Sequence, residues 1–289
     1  MRLIVDRRAI EDNIESAIAL TNCGRISIVV KSFYDNIIGD WVSERAWRAF
    51  SLTPLKLCPS ICYSIGDFQN GHKGAVITSV EQFLSAKHSN ISEFYVPVNM
   101  LDNREGITPK EAKELIAKCT QEDRHLPWNH AVFILMVTSG CLNDRHPSLD
   151  EIAQLASDIP QASHVSVGGS FYLQFSRLPE CIKEIRIGEY ALFGTIPYCD
   201  QVEKFGRTAI KVEMDVIQTY PKRQHILIRG GYSEIDTKDC FLLTGGLEYV
   251  DSSSEYTIYR DRFRQFTTGD KVVVVPNYKS LVKLRHVPR

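Results

Sequence analysis

The chain has 289 residues, 44% of them hydrophobic, and its 34 lysines and arginines nearly balance 35 aspartates and glutamates, for a formal net charge of -1. That much apolar material excludes a disordered chain and suffices for one large domain or a large and a small one. Without a basic surplus there is no electrostatic footprint for a nucleic-acid duplex or an anionic membrane surface, so neither is expected as a partner.

Eight cysteines stand scattered at Cys23, Cys58, Cys62, Cys119, Cys141, Cys181, Cys199 and Cys240. In a chain this long they read as reduced, mostly buried thiols rather than a disulfide framework. Cys58 and Cys62 lack a second Cys/His pair at zinc-finger spacing, so no metal is expected. Arg2, Asp6, Arg7 and Arg8 interrupt any signal-peptide core, and no stretch approaches the ~20 apolar residues of a membrane span. These features fit a cytoplasmic, soluble protein.

In chain order, a short strand at 3–5 precedes Asp6, a helix N-cap, after which Ile10, Ile14, Ala17 and Ile18 recur at helical spacing. A β-branched run at 26–31 follows, with further strand candidates near 49–52, 61–65, 74–78, 94–98, 131–138, 165–169 and 185–193. Helical patterns at 79–86, 109–119 (capped by Thr108) and 148–155 alternate with them. Near-continuous apolar strands separated by helices predict a parallel sheet covered on both faces, and eight of them suffice to close a (β/α)8 TIM-like barrel. An open doubly wound sheet is the competitor, but the glycine-rich dinucleotide turn is missing.

After about residue 206 helical periodicity disappears. Strand patterns at 211–219, 225–229, 256–259 and 271–275, punctuated by Gly230-Gly231, Gly245-Gly246 and Thr268-Gly269-Asp270, predict a C-terminal all-β domain. The expected division is a barrel over 1–205 and a β domain over 206–289, with the strand at 3–5 able to join either sheet.

Three features could carry chemistry. Lys31 ends the first long apolar strand, where a parallel barrel forms its active-site face, and a partly desolvated amine there can form a Schiff base with an aldehyde cofactor. It could equally mark where the strand meets water. Val167-Gly168-Gly169-Ser170 ends a strand in a turn whose N–H groups and hydroxyl can cradle a phosphate, or simply turn the chain. Arg186, in Glu184-Ile185-Arg186-Ile187-Gly188-Glu189, lies within an apolar strand and requires a carboxylate, a phosphate, a heteroaromatic acceptor or a structural salt bridge.

Taken in this order, the three features resemble the alanine racemase-like, fold-type III pyridoxal-phosphate enzymes, and most of all the ornithine racemase group. Lys31 matches the family's cofactor lysine, Gly168-Gly169-Ser170 its phosphate-binding turn, and Arg186-Ile187-Gly188-Glu189 the segment whose arginine faces the pyridine nitrogen. Leu101-Asp102-Asn103-Arg104-Glu105-Gly106, Ser252-Ser253-Ser254-Glu255-Tyr256 and Asn277-Tyr278-Lys279-Ser280-Leu281 resemble further segments of the ornithine racemase group. Departures are Ser32-Phe33-Tyr34 after the lysine, Thr138-Ser139-Gly140-Cys141-Leu142 after the sixth barrel strand, and Gly169 in place of asparagine.

The resemblance implies pyridoxal 5'-phosphate as cofactor and racemisation of an amino acid, such as the basic ornithine, by α-proton abstraction. It implies that Lys31, Gly169, Ser170, Arg186, Gly188, Glu189 and Tyr278 bind the cofactor, and that Arg104 holds a substrate carboxylate, with a salt bridge to Glu105 as the alternative. Lys31 would be the base on one face of Cα. The second acid/base would come from the β domain of a partner subunit, making a homodimer with shared active sites; Tyr232 and Cys240 are the candidates. A non-catalytic cofactor-binding homeostasis protein and a decarboxylase of the same fold are the alternatives.

Overall fold

A computed structural model describes residues 1–29, 48–51, 60–62, 71–100, 106–126, 130–138, 146–196, 206–277 and 280. Eight parallel strands close a barrel: β2 (Ile26–Val29), β3 (Arg48–Ser51), β4 (Ser60–Cys62), β5 (Gly74–Val76), β6 (Glu93–Val98), β7 (Val132–Thr138), β8 (His164–Gly168) and β9 (Ile182–Ile187), in that order, with β9 returning to β2. The closing seam pairs Ile26 with Ile185, Ser27 with Arg186 and Ile28 with Ile187. All five residues of β8 are buried, as are five of the six in β6, as expected of strands covered on both faces.

The helices have legible ends. Ahead of β2 lies α1 (Arg7–Leu20), and Asp6 Oδ1 accepts from the N–H of Ala9 in its first turn. Ser79 caps α2 (Val80–His88), while Thr108 and Ser148 form reciprocal capping boxes with Glu111 and Glu151 at α3 (Pro109–Asp123) and α4 (Leu149–Asp158). A buried ion pair, Lys87 Nζ to Asp123 Oδ1 at 2.8 Å, ties α2 to the end of α3, and Asp123 Oδ2 also accepts from Ala131 N–H at 2.7 Å, which locates the chain just before β7.

One sequence-based expectation is corrected. The run 185–193 is not one strand: β9 stops at Ile187, and Glu189–Phe193 form a short helix, α5. Gly188 breaks the extended chain and Gly194, at φ 64°, closes the helix in the left-handed region where only glycine is at ease. An apolar run such as Tyr190-Ala191-Leu192-Phe193 fits a buried strand and a buried helix equally well.

The described strands contribute both an apolar cluster and buried polar pairs. Phe50, Ile61, Val76, Tyr95, Ile134 and Met136, from five strands, pack into one buried cluster, with Phe50 and Tyr95 edge to face at 5.1 Å. The Arg48 guanidinium meets the Glu93 carboxylate in a two-pronged pair (2.8 and 3.2 Å) between the non-adjacent strands β3 and β6. Ser27 Oγ donates to Glu184 Oε1 across the closing seam.

The described residues divide into two compact units, one containing those between 11 and 206, the other residues 1–10 and those from 207 onward. In the second unit β1 (Arg2–Val5) pairs antiparallel with β10 (Ile210–Tyr220), Val5 opposite Ile210. The sheet runs β12-β15-β10-β11-β14-β13, with β11 (His225–Arg229), β12 (Phe241–Leu242), β13 (Leu247–Ser252), β14 (Tyr256–Asp261) and β15 (Lys271–Val275). Strands β12 and β13 escaped the sequence reading. Along β10, Ile210, Val212, Met214 and Val216 are buried while the residues between them are half-buried, the period-two pattern of a sheet with one covered face. No helix among the described residues is long and apolar enough to cross a membrane. Cys23, Cys62 and Cys119 are buried, and Cys181 and Cys240 are half-buried.

Candidate functional site

The carboxyl ends of β7, β8 and β9 bring the candidate residues together. Arg186 occupies an inward position near the end of β9 and is buried, so its charge must be solvated by protein. Nη1 donates to the carbonyl and the hydroxyl of Ser166 on β8, both at 2.7 Å. Nη2 donates to Val137 O and Thr138 Oγ1 at the end of β7, both at 3.0 Å. Its Cζ lies 5.6 Å from the centroid of the Phe50 ring on β3. The planar fork thus spans from its own strand over two neighbours, as a lysine ammonium could not.

The turn after β8 is held against the same arginine. Gly169 N–H donates to the Arg186 carbonyl at 2.9 Å, and Gly169 sits at φ 107°, a conformation that side chains disfavour. At Gly168 a Cβ would come within 2.5 Å of Arg186 Nη2, so the guanidinium occupies the space that a side chain would need. Ser170 then opens a 3-10 turn, Ser170–Gln174, and its Oγ accepts from Tyr190 N–H in the first turn of α5 at 3.0 Å. A hydroxyl accepting one bond still carries a proton to donate.

Gly188 and Glu189 stand at the start of α5 beside this turn. Glu189 is not aimed as a phosphate donor: a carboxylate accepts only, and its Oε1 receives the Thr195 hydroxyl at 3.2 Å. Burial pushes the Glu189 carboxyl above the ordinary range, partly offset by that bond. Tyr190 OH pairs with Ser16 Oγ at 3.0 Å and its phenol is raised by burial, which makes it a packing residue between α5 and α1.

Beneath the arginine lies a polar layer that the sequence did not disclose. Glu184 and Tyr95 are fully buried beside one another. Burial, then the charges of Glu184 and Glu93, hold the Tyr95 phenol well above its usual range. Strand alternation offered the one available signal, since Glu184 and Arg186 lie two residues apart on one face of β9.

The remaining candidates fall elsewhere. Lys31, Tyr34, Arg104, the segment 139–142 and Tyr278 lie outside the described residues. In the β unit, Tyr232 is 55% exposed, with its N–H donated to Ser253 O at 2.9 Å. Cys240 follows a 3-10 turn and its Sγ donates to Asp236 O at 3.1 Å. The described residues bring together Gly169, Ser170, Arg186, Gly188 and Glu189. Ser166 and Thr138, which orient the arginine, were missed as functional residues because their role depends on strand register.

No family model matches the sequence, and no curated protein sequence matches it. Solved structures do match the fold over nearly the whole chain. A D-threonine aldolase from Filomicrobium marinum superposes with a TM-score of 0.71 at 15% identity, covering 99% of this chain and 89% of that one. The alanine racemase from Acinetobacter baumannii gives 0.69 at 16% identity, over 100% and 96%. D-threo-3-hydroxyaspartate dehydratase from Delftia sp. HT23 gives 0.68 at 13% identity, over 98% and 92%. Likeness at such identities concerns the fold: the chain has the architecture of the alanine racemases, a closed parallel barrel of eight strands with a separate antiparallel β domain.

Proposed function

We propose that the chain is a pyridoxal-phosphate-dependent enzyme acting at the Cα of an amino acid, and specifically a racemase interconverting L- and D-amino acids, with a basic amino acid such as ornithine as substrate. The observation that carries the reading is the juxtaposition of Arg186 with the Gly168-Gly169-Ser170 turn at the carboxyl ends of adjacent strands. A phosphorylated pyridine fits the residues that are described. Ser170 retains a hydroxyl proton for a phosphate oxygen, the flanking glycines allow close backbone approach, and the guanidinium is fixed by neutral oxygens.

Bound there, the cofactor supplies an electron sink for the charge left when an α-proton departs. Lys31 would hold the cofactor through its amine and would serve as the base on one face of Cα. Arg186 donates hydrogen bonds and gives up no proton, so it would leave a heteroaromatic nitrogen set against it unprotonated, which would favour proton return over side reactions. Inversion requires a second acid/base on the opposite face, for which Tyr232 or Cys240 of a partner subunit is proposed. Under that reading the protein is a cytoplasmic homodimer with shared sites, Tyr278 helps to hold the phosphate and Arg104 holds the substrate carboxylate.

Reconstituted protein should show an absorbance band near ~420 nm that Lys31→Ala abolishes. Incubation in heavy water with a panel of amino acids should then place deuterium at Cα of one of them and yield both enantiomers. Absence of the band would overturn the cofactor assignment. A band without α-exchange for any amino acid, or with carbon dioxide or aldehyde release instead, would overturn the racemase.

A further inference from the structure

The phosphate turn poses a mechanical question. Strand pairing of Gly168 and the Gly169 N–H bond to the Arg186 carbonyl hold the turn from its amino side, but neither glycine has a side chain to pack, so side-chain contacts on Ser170 and its neighbours must act from the carboxyl side. Two contacts do. The Phe171 ring lies face to face on the imidazole of His146, with centroids 3.8 Å apart and planes 15° from parallel. Next to it the fully buried Tyr172 donates its hydroxyl to the carbonyl of Pro147 at 3.0 Å and meets His146 edge-on at 6.4 Å. Residues 146 and 147 stand just before Ser148, the cap of α4. Phe175 closes the group, its ring 5.8 Å from Phe171.

The turn is thereby clamped between two helices: on one side Ser170 accepts from the first turn of α5, and on the other Phe171 and Tyr172 are fastened to the residues that lead into α4. An offset of one ångström at such a site is enough to spoil a phosphate contact. We propose that His146, through its stack on Phe171, is a positioning residue that sets the phosphate affinity of the Gly168-Gly169-Ser170 turn. The inference rests on the pyridoxal-phosphate reading, and it adds a residue from a different loop to that site. Burial lowers the His146 pKa below its ordinary value, so the ring that stacks at neutral pH is the uncharged one.

The test compares binding of pyridoxal phosphate with that of pyridoxal, which lacks the phosphate, by equilibrium titration of wild type, His146→Ala, His146→Phe and Phe171→Leu. Loss of one aromatic stack should weaken pyridoxal phosphate about three- to tenfold. Pyridoxal binding should be unchanged in His146→Ala and Phe171→Leu, and His146→Phe should restore wild-type affinity for both compounds. Circular dichroism melts confirm which variants are folded, and His146→Phe keeps the test decisive if the alanine variant is not. Equal weakening of both compounds, or no rescue by phenylalanine, would overturn the positioning role. Wild-type protein that binds neither compound would instead overturn the cofactor reading on which it rests.

Discussion

Gly168→Ala tests the central geometry without touching any hydrogen-bonding atom. The added Cβ would lie 2.5 Å from Arg186 Nη2 and 3.3 Å from Arg186 Cζ and Val137 O. Ordinary contact distances require about one ångström more, so either β8 or the guanidinium must retreat. Retreat of the guanidinium lengthens the two 3.0 Å bonds from Nη2 to Val137 O and Thr138 Oγ1, while the Nη1 bonds to Ser166 can persist by pivoting. A charged hydrogen bond is worth about 1.5–3 kcal/mol and overpacking of a full core about 1–3 kcal/mol. With partial relaxation, a loss of about 3 kcal/mol follows, together with weaker retention of pyridoxal phosphate. Urea unfolding followed by circular dichroism reads the first and equilibrium titration the second. Gly245→Ala, where a Cβ meets nothing within 4 Å, is the matched control and should unfold as wild type does. If Gly168→Ala also unfolds at the wild-type urea concentration and keeps wild-type cofactor affinity, the guanidinium is not where the argument requires it.

Three further outcomes follow from buried groups. His164 is pushed down to about 4 from the ordinary 6.5, by burial first and then by the charge of Arg25. The unfolded chain therefore takes up this proton before the folded one does: stability is full above pH 6.5, falls progressively between 6.5 and 4, and levels off below, for a total of about 3 kcal/mol. Stability curves of wild type and His164→Leu should diverge in slope only within that window, and parallel curves would refute the assignment. Ser170→Ala strands the buried Tyr190 N–H and should cost about 1–3 kcal/mol in urea unfolding even without cofactor; a neutral result would mean that water replaces the hydroxyl. Burial, with the nearby Glu122 and Asp123 charges, raises the Cys119 thiol to about 12, so Cys119 should resist alkylation at pH 8 in native protein and react once urea unfolds it, as read by mass spectrometry of the labelled peptides.

The barrel was legible because its strands are buried on both faces and its helices begin at strong caps. Thr108 with Glu111 and Ser148 with Glu151 announce their helices in four residues each. What escaped was decided by partners distant in sequence. The helix Glu189–Phe193 reads as a strand until Gly188 and the left-handed Gly194 are given their conformations. In β13 the register shift between Tyr249 and Asp251 breaks the alternation on which strand recognition depends.

The same division holds at the site. That Arg186 must be buried near a partner follows from its apolar neighbours in sequence. Which atoms solvate it does not, because Ser166, Val137 and Thr138 reach it only through the pairing of β7 with β8 and β8 with β9. Likewise His146 and Phe171 are separated by 24 intervening residues and an entire strand and helix, and nothing in either local pattern marks them as a pair.

The seam between β2 and β9 also has a meaning in time. Ser27 is made early in synthesis, and Glu184 and Arg186, which meet it, about 160 residues later. Until β9 arrives, β2 has one bare edge open to any passing strand. Closure of the barrel and delivery of the arginine are therefore a single event, joining contacts so far apart in the chain that it is expected to be slow. A nascent or truncated chain ending before residue 182 would possess most of the barrel's apolar surface and no Arg186 site, so under the proposed reading uptake of pyridoxal phosphate would report that the last strand has docked.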